Sequence, residues 1–203
     1  MLPKVAGAAL PLVVLLVSCT GPSAETSSPA PSPTPSSSAS AATTAPATTR
    51  NLTAQGFLPK KVGELSGTEC TTSIDTCAIK FTVDKIDVNP KCYQYGTPAA
   101  SGRKTLLLHV SLTTGNLSPD GQLGAPTIFN PFSLKGLSAD GFVHDAQPGL
   151  CADNKSSLSS TILPNSKYAG TVEVDVPESA VSVASAWSAP AKDGGRGWVW
   201  SIG

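Results

Sequence analysis

Apolar residues recur at every second position in several short runs after residue 77. One run places Ile79, Phe81 and Val83 on a single face, and the apolar phase shifts before Ile86, which predicts a bulge near Asp84-Lys85. A second run, Thr105 to Thr113, also alternates. It places Leu106, Leu108, Val110 and Leu112 on one face and Leu107, His109 and Ser111 on the other. A period of two predicts β-strands that bury one face, so the folded part of the chain is expected to be all-β.

Further short strands are predicted at 168–176, 181–187 and 198–202, and turn residues separate the runs. The turn signals include Pro119-Asp120-Gly121, Asp140-Gly141 and Asp193-Gly194-Gly195. No stretch keeps helical spacing for more than about two turns. Seven or eight short strands joined by turns favour a two-sheet antiparallel β-sandwich, with an open barrel as the alternative.

The order of these motifs resembles a known family. Gly102 to Ser111, Phe129 to Leu134, Asp140-Gly141 and Leu163 to Pro177 together look like the immunoglobulin-like domain of bacterial secreted proteins and lipoproteins. That group includes domains of unknown function and the mycobacterial secreted immunogenic antigen. The resemblance spans about residues 78 to 190 and implies an immunoglobulin-like sandwich, but it transfers no active site. Four cysteines and the Trp-rich C-terminal end have no counterpart in the family pattern.

The first 19 residues form an export signal. Lys4 precedes an uncharged apolar run of about 13 residues, which is shorter than the roughly 20 that a membrane-spanning helix needs. The run ends in Leu16-Val17-Ser18-Cys19, which resembles the lipobox of bacterial lipoproteins. The resemblance implies that residues 1–18 are removed and that Cys19 carries diacylglycerol and fatty acid, such as palmitate. An ordinary secretory signal followed by a coincidental cysteine is the alternative.

Residues 19–50 are expected to be the lipidated cysteine followed by a disordered linker. From Thr20 to Arg50, 28 of the 31 residues are Ser, Thr, Ala or Pro, and the segment has no large apolar side chain. Such a composition cannot bury enough surface to offset the entropy lost on ordering. The segment would span roughly 30 Å as a flexible coil and about 95 Å when fully extended. We interpret it as a spacer between the membrane and a sandwich domain formed by residues 51–203.

Four cysteines remain once Cys19 is assigned to lipid. Cys70, Cys77, Cys92 and Cys151 lie in an exported domain, so we expect two disulfides among the three pairings that four cysteines allow. The preferred pairing is Cys70 with Cys77 and Cys92 with Cys151. A zinc site is disfavoured because the four include no C-x-x-C pair and the chain has only two histidines.

The sequence offers little that is typical of catalysis. His109 and His144 match no metal-ligand spacing, and the chain lacks a G-x-S-x-G elbow and a phosphate-binding glycine loop. Its formal net charge of zero gives no field that would attract nucleic acid. We therefore expect a protein without catalytic residues, cofactor or metal; the alternative is an envelope-located, metal-dependent hydrolase that uses His109 or His144.

Eleven aromatic residues are present, and two pairs of them stand out. Trp198 and Trp200 share one face of the last strand and are interpreted as covering the core rather than as a binding surface. Tyr93 and Tyr95 follow Cys92 in a predicted loop and are the candidate ligand-binding residues. The sequence thus predicts a noncatalytic, lipid-anchored lipoprotein on the extracytoplasmic face of the cell membrane. Its immunoglobulin-like domain would bind an envelope protein or a cell-wall polymer.

Overall fold

A computed structural model describes residues 51–186 and 195–203. The predicted signal peptide (1–18), the predicted lipidation site Cys19 and the predicted linker (to residue 50) lie outside these residues. Among the described residues, no helix is both long and apolar enough to cross a membrane.

The described residues contain ten strands and one short α-helix, α1 (Pro119–Gly124). Single 3-10 turns occur at Ile74–Thr76, Ala125–Thr127, Pro131–Ser133 and Asn154–Ser156. The strands are, in chain order, β1 (Leu58–Lys60), β2 (Ser66–Cys70), β3 (Cys77–Val88), β4 (Arg103–Thr114), β5 (Leu134–Ser138), β6 (Val143–Asp145), β7 (Gln147–Pro148), β8 (Lys167–Pro177), β9 (Ala180–Ala186) and β10 (Gly197–Ser201).

The strands form two five-stranded sheets, which confirms the predicted β-sandwich. The first sheet has the order β1-β10-β9-β5-β6, and the second has the order β2-β3-β4-β8-β7. The predicted bulge is confirmed, since the register between β3 and β4 shifts between Val83 and Lys85. One pairing departs from the antiparallel prediction, because β1 runs parallel to β10.

The expected count of seven or eight strands was wrong. Three of the missed strands, β1, β6 and β7, are only two or three residues long, which is too short for a period of two to be recognised. The missed β2 has the sequence SGTEC and offers no large apolar side chain, while β5 has a glycine at its centre. These strands form because neighbouring strands supply hydrogen-bond partners, not because their own sequences favour extended structure.

The core between the sheets is built around aromatic rings. Phe81 makes edge-to-face contacts with Phe129 at 5.1 Å and with Trp198 at 4.7 Å between ring centroids. Trp200 is fully buried beside them, 6.4 Å from Phe81. Edge-to-face pairs of this kind contribute about 0.5–1.5 kcal/mol each beyond the area that they bury. The tryptophans therefore cover the core as predicted, and the alternative of an exposed tryptophan surface is wrong.

A smaller apolar cluster lies on the outer face of the first sheet. Phe57 packs there against Leu137, Ala184 and Val199, and the side-chain amide of Gln55 donates to the carbonyl of Gly141 at 3.2 Å. The chain that arrives from the N-terminal region therefore crosses the outer face of this sheet before it enters β1.

The two ends of β4 define the two ends of the sandwich. The 89–102 loop precedes β4, and a crossover at 115–133 follows it and leads to the first sheet. The 12 residues of β4 separate these segments by roughly 36 Å, at about 3.3 Å per residue. We call the two ends the loop end and the crossover end.

Replacing Val174 with Asp tests the strand assignment of β8. Val174 is fully buried between the sheets, so the carboxylate would lie in the core without a partner. We expect the free energy of unfolding to fall by about 3 kcal/mol or more, measured by urea denaturation. Val181→Asp is the matched control: Val181 is exposed on β9, and its replacement should change stability by no more than about 0.5 kcal/mol. Equal stability of the two variants would contradict the assignment.

Candidate functional site

The candidate binding residues lie in a tight, exposed loop. This aromatic loop, Cys92 to Gly96, is part of the connection between β3 and β4 at the loop end. The Tyr95 side chain is 78% exposed and that of Tyr93 is 43% exposed, and their rings meet edge to face at 6.1 Å. Because both rings are exposed and in contact with each other, the loop presents an aromatic surface to solvent.

Backbone contacts fix the conformation of the aromatic loop. The Tyr93 amide donates to the Cys151 carbonyl at 3.0 Å, and the Gly96 amide donates to the Tyr93 carbonyl at 2.9 Å. The Thr97 amide donates to the Leu150 carbonyl at 2.7 Å. A Cβ at Gly96 would collide with the Cys151 carbonyl oxygen, so the close approach of these two segments requires glycine.

A disulfide and a carboxylate hold the partner segment of the aromatic loop. Cys92 is bonded to Cys151, 59 residues further along the chain. The Glu173 carboxylate on β8 accepts from the amides of Cys151 at 2.5 Å and Ala152 at 2.8 Å. Hydrogen bonds to a charged acceptor are roughly twice as strong as neutral ones. The aromatic loop is therefore joined to the outer face of the second sheet.

Sequence reasoning missed Leu150, which extends the exposed surface. Its side chain is 67% exposed, and its backbone bridges to Thr97, two residues beyond Tyr95. Leu150 follows Pro148-Gly149 in a region without clear periodicity. The signal that could have found it is the adjacent Cys151, since a disulfide to Cys92 brings the neighbours of both cysteines together.

The other disulfide joins Cys70 and Cys77, which face each other across β2 and β3. Both pairings are those preferred from the sequence. This second bond lies at the crossover end, where β3 begins, and is remote from the tyrosines along β3. It secures the edge strand β2 and does not shape the aromatic loop.

His109 projects from the outer face of the second sheet. Its Nε2 lies 2.9 Å from an oxygen of Asp87, and the Lys85 ammonium lies 2.7 Å from the other oxygen. Lys85, and secondly His109, hold the pKa of Asp87 below its ordinary value of 3.8. The ionised Asp87 carboxylate therefore stabilises the fold fully at pH values above its ordinary pKa of 3.8. This stabilisation is lost as the pH falls through the lowered pKa of the folded protein. The group is exposed, so the contribution is small.

The histidines do not form a catalytic arrangement with neighbouring groups. The Ser111 hydroxyl donates to Asp84 at 2.7 Å and not to His109, so no Ser-His-Asp relay is formed there. His144 is on β6 in the first sheet, whereas His109 is on β4 in the second. Within 51–186 and 195–203, no three His, Cys, Asp or Glu residues are grouped so that they could hold a metal ion.

Comparison with known proteins gives structural likeness alone. No family model and no curated protein matches the chain. The structure is similar to the secreted protein MPT63 of Mycobacterium tuberculosis, with 13% identity, 72% of this chain and 98% of that chain covered, and a TM-score of 0.40. It is also similar to an uncharacterized β-sandwich protein of Clostridium difficile 630, with 15% identity, 72% and 96% coverage, and a TM-score of 0.40. Neither likeness assigns a function to this chain.

Removing each disulfide separately tests how the aromatic loop is held. Cys92→Ala with Cys151→Ala releases a loop of 59 residues, and Cys70→Ala with Cys77→Ala releases one of 7. Loop-closure entropy predicts losses of about 4 and about 2 kcal/mol in the free energy of unfolding. Urea denaturation of the two double variants measures the difference. A smaller loss for the Cys92–Cys151 variant than for the Cys70–Cys77 variant would contradict the loop-closure expectation.

Proposed function

We propose that the chain is a lipoprotein anchored by Cys19 to the extracytoplasmic face of the cell membrane. Its β-sandwich would be a noncatalytic module that binds an envelope protein or a cell-wall polymer through the aromatic loop. The observation that carries the proposal is the apolar run that ends in Leu16-Val17-Ser18-Cys19. Its position directly after the signal's apolar segment gives this short motif its specificity.

The remaining parts of the chain fit that location. The Ser/Thr/Ala/Pro segment from Thr20 to Arg50 has the composition of a flexible spacer. Two disulfides in the domain suit an oxidising compartment outside the cytoplasm. Two or more acyl chains on one cysteine suffice for stable anchoring, whereas a single chain binds only marginally.

The aromatic loop has the physical features of a binding element. Tyrosine offers a large contact area with few rotatable bonds, so ordering it on binding costs little entropy. The disulfide, the Glu173 carboxylate and the backbone bonds around Gly96 hold this loop before a partner arrives. Such preorganisation raises affinity by lowering the cost of ordering.

Among the described residues, no contact supports the alternative of a metal-dependent hydrolase. His109 is engaged by Asp87, and His144 belongs to the other sheet. We therefore do not propose it.

Replacing Cys19 with Ala tests the anchor. The variant has no sulfur for diacylglycerol to alkylate, so it should leave the membrane fraction and lose the lipid mass in mass spectrometry of its N-terminus. Ser18→Ala is the matched control: it keeps a small residue before the cysteine and should be lipidated as before. Retention of the Cys19→Ala protein in membranes, or a native chain without acyl mass, would refute anchoring.

Replacing Tyr95 with Ala tests the binding element. Crosslinking in intact cells should give adducts with the native chain, and at least about tenfold less adduct with the variant, as expected when an interface loses a central aromatic side chain. Phe142→Ala is the control, because Phe142 is similarly exposed but lies between β5 and β6. Equal loss in both variants, or no loss in either, would exclude the aromatic loop as the contact surface.

A further inference from the structure

The two tyrosines of the aromatic loop form a corner rather than a flat surface. Their ring centroids lie 6.1 Å apart and the ring planes are inclined by 77°, so the edge of one ring meets the face of the other. Tyr95 is 78% exposed and Tyr93 is 43% exposed, which leaves both rings accessible to a partner. Two nearly perpendicular rings do not offer one continuous platform, but a small apolar group can pack into the corner between them.

The segments that form this part of the surface contain no charged residue. Residues 92–102 and 146–152 include no Asp, Glu, Lys, Arg or His, and charged residues stand just outside them at Lys91, Arg103, Asp145 and Asp153. The Glu173 carboxylate, which contacts the second segment, already accepts from the amides of that segment. An uncharged partner therefore suits these segments, because it loses no ionic hydration when it binds them.

Gln94 and Leu150 add a hydrogen-bonding group and a further apolar side chain. Gln94 stands between the two tyrosines in sequence and is exposed, and a glutamine amide can donate two hydrogen bonds. Leu150 is 67% exposed on the segment whose carbonyl accepts from the Thr97 amide. The site thus combines aromatic and apolar surface with a neutral hydrogen-bond donor.

A polyproline II helix has the features that such a site can recognise. This helix rises about 3.1 Å per residue, so prolines at alternate positions lie about 6.2 Å apart along its axis. That spacing is comparable with the 6.1 Å between the two tyrosine rings. The carbonyls of the helix have no internal hydrogen-bond partners, so a glutamine amide can donate to them. Proteins bind this helix in aromatic-lined grooves, and because it is preformed it loses little entropy on binding.

We propose that the aromatic loop binds an uncharged polyproline II segment with proline at alternate positions, presented by a protein of the cell envelope. The proposal rests on the proposed function, whose binding partner it narrows to a polypeptide of one conformation. A repeat of this kind occurs in the chain's own sequence, where Pro29, Pro31, Pro33 and Pro35 alternate with uncharged residues. Under the proposed anchoring this repeat is exported with the domain, so the compartment contains segments of this chemistry.

Binding of a synthetic peptide tests the proposal. The peptide copies residues 28–36, and its control has alanine at the four proline positions. The protein is the unlipidated chain from Thr20 to Gly203 in which the same four prolines are changed to alanine, so that the added peptide is the only repeat of this kind in the sample. With a fluorescent peptide and polarisation as the readout, we expect saturable binding with a Kd below about 1 mM. The alanine peptide should bind at least about tenfold more weakly, and the Kd should be the same in low and high salt because neither surface is charged.

Variants of Tyr95 locate the contact. Tyr95→Ala should weaken peptide binding at least about tenfold, because the corner loses one of its rings. Tyr95→Phe keeps the ring and should retain most of the affinity. Phe142→Ala is the matched control, since Phe142 is 66% exposed between β5 and β6 and its loss should leave peptide binding unchanged. Melting temperatures check that each variant folds. Absence of saturable binding, equal binding of the two peptides, or equal affinity of Tyr95→Ala and the native loop would overturn the proposal.

Crosslinking in intact cells separates failure of this proposal from failure of the proposed function. If the peptide does not bind but adducts in cells still depend on Tyr95, the polyproline II partner is wrong and the aromatic loop remains a binding element. Binding of solubilised cell-wall polysaccharide that depends on Tyr95, in place of the peptide, would likewise overturn this proposal and assign the site to a glycan. If neither peptide binding nor adduct formation responds to Tyr95→Ala, both proposals are wrong.

Discussion

The aromatic contacts around Phe81 are the interaction on which the other features depend. Phe81 belongs to the second sheet, Trp198 and Trp200 to the first, and Phe129 to the crossover, so this cluster joins three separate parts of the domain. Its packing fixes the spacing of the sheets and brings the crossover against their ends.

The long strands could be predicted from the sequence because each carries enough alternating residues to define a face. Leu106, Leu108 and Val110 indicate an inward face before any partner strand is known. The short strands could not be predicted from the sequence, because their extended form depends on partner strands that are remote in sequence. The parallel pairing of β1 with β10 joins Leu58 to Trp198, and nothing in either local sequence indicates that contact.

The residues of the candidate site likewise divide into those that could be predicted from the sequence and those that only the fold reveals. Tyr93 and Tyr95 could be selected because the chain has only eleven aromatic residues and these two are grouped after Cys92 in a predicted loop. Leu150 and the support from Glu173 depend on the approach of distant segments and were not predicted. The charge-free stretches 121–134 and 156–166 are visible in the sequence, whereas only the fold shows that residues of both stretches line one cleft.

Several polar side chains on the second sheet hold strands and loops in place. Glu173 binds backbone amides, Asp87 pairs with Lys85 and His109, and Ser111 donates to Asp84. The contacts made by Glu173, His109 and Ser111 each join two strands or fix a loop against a strand.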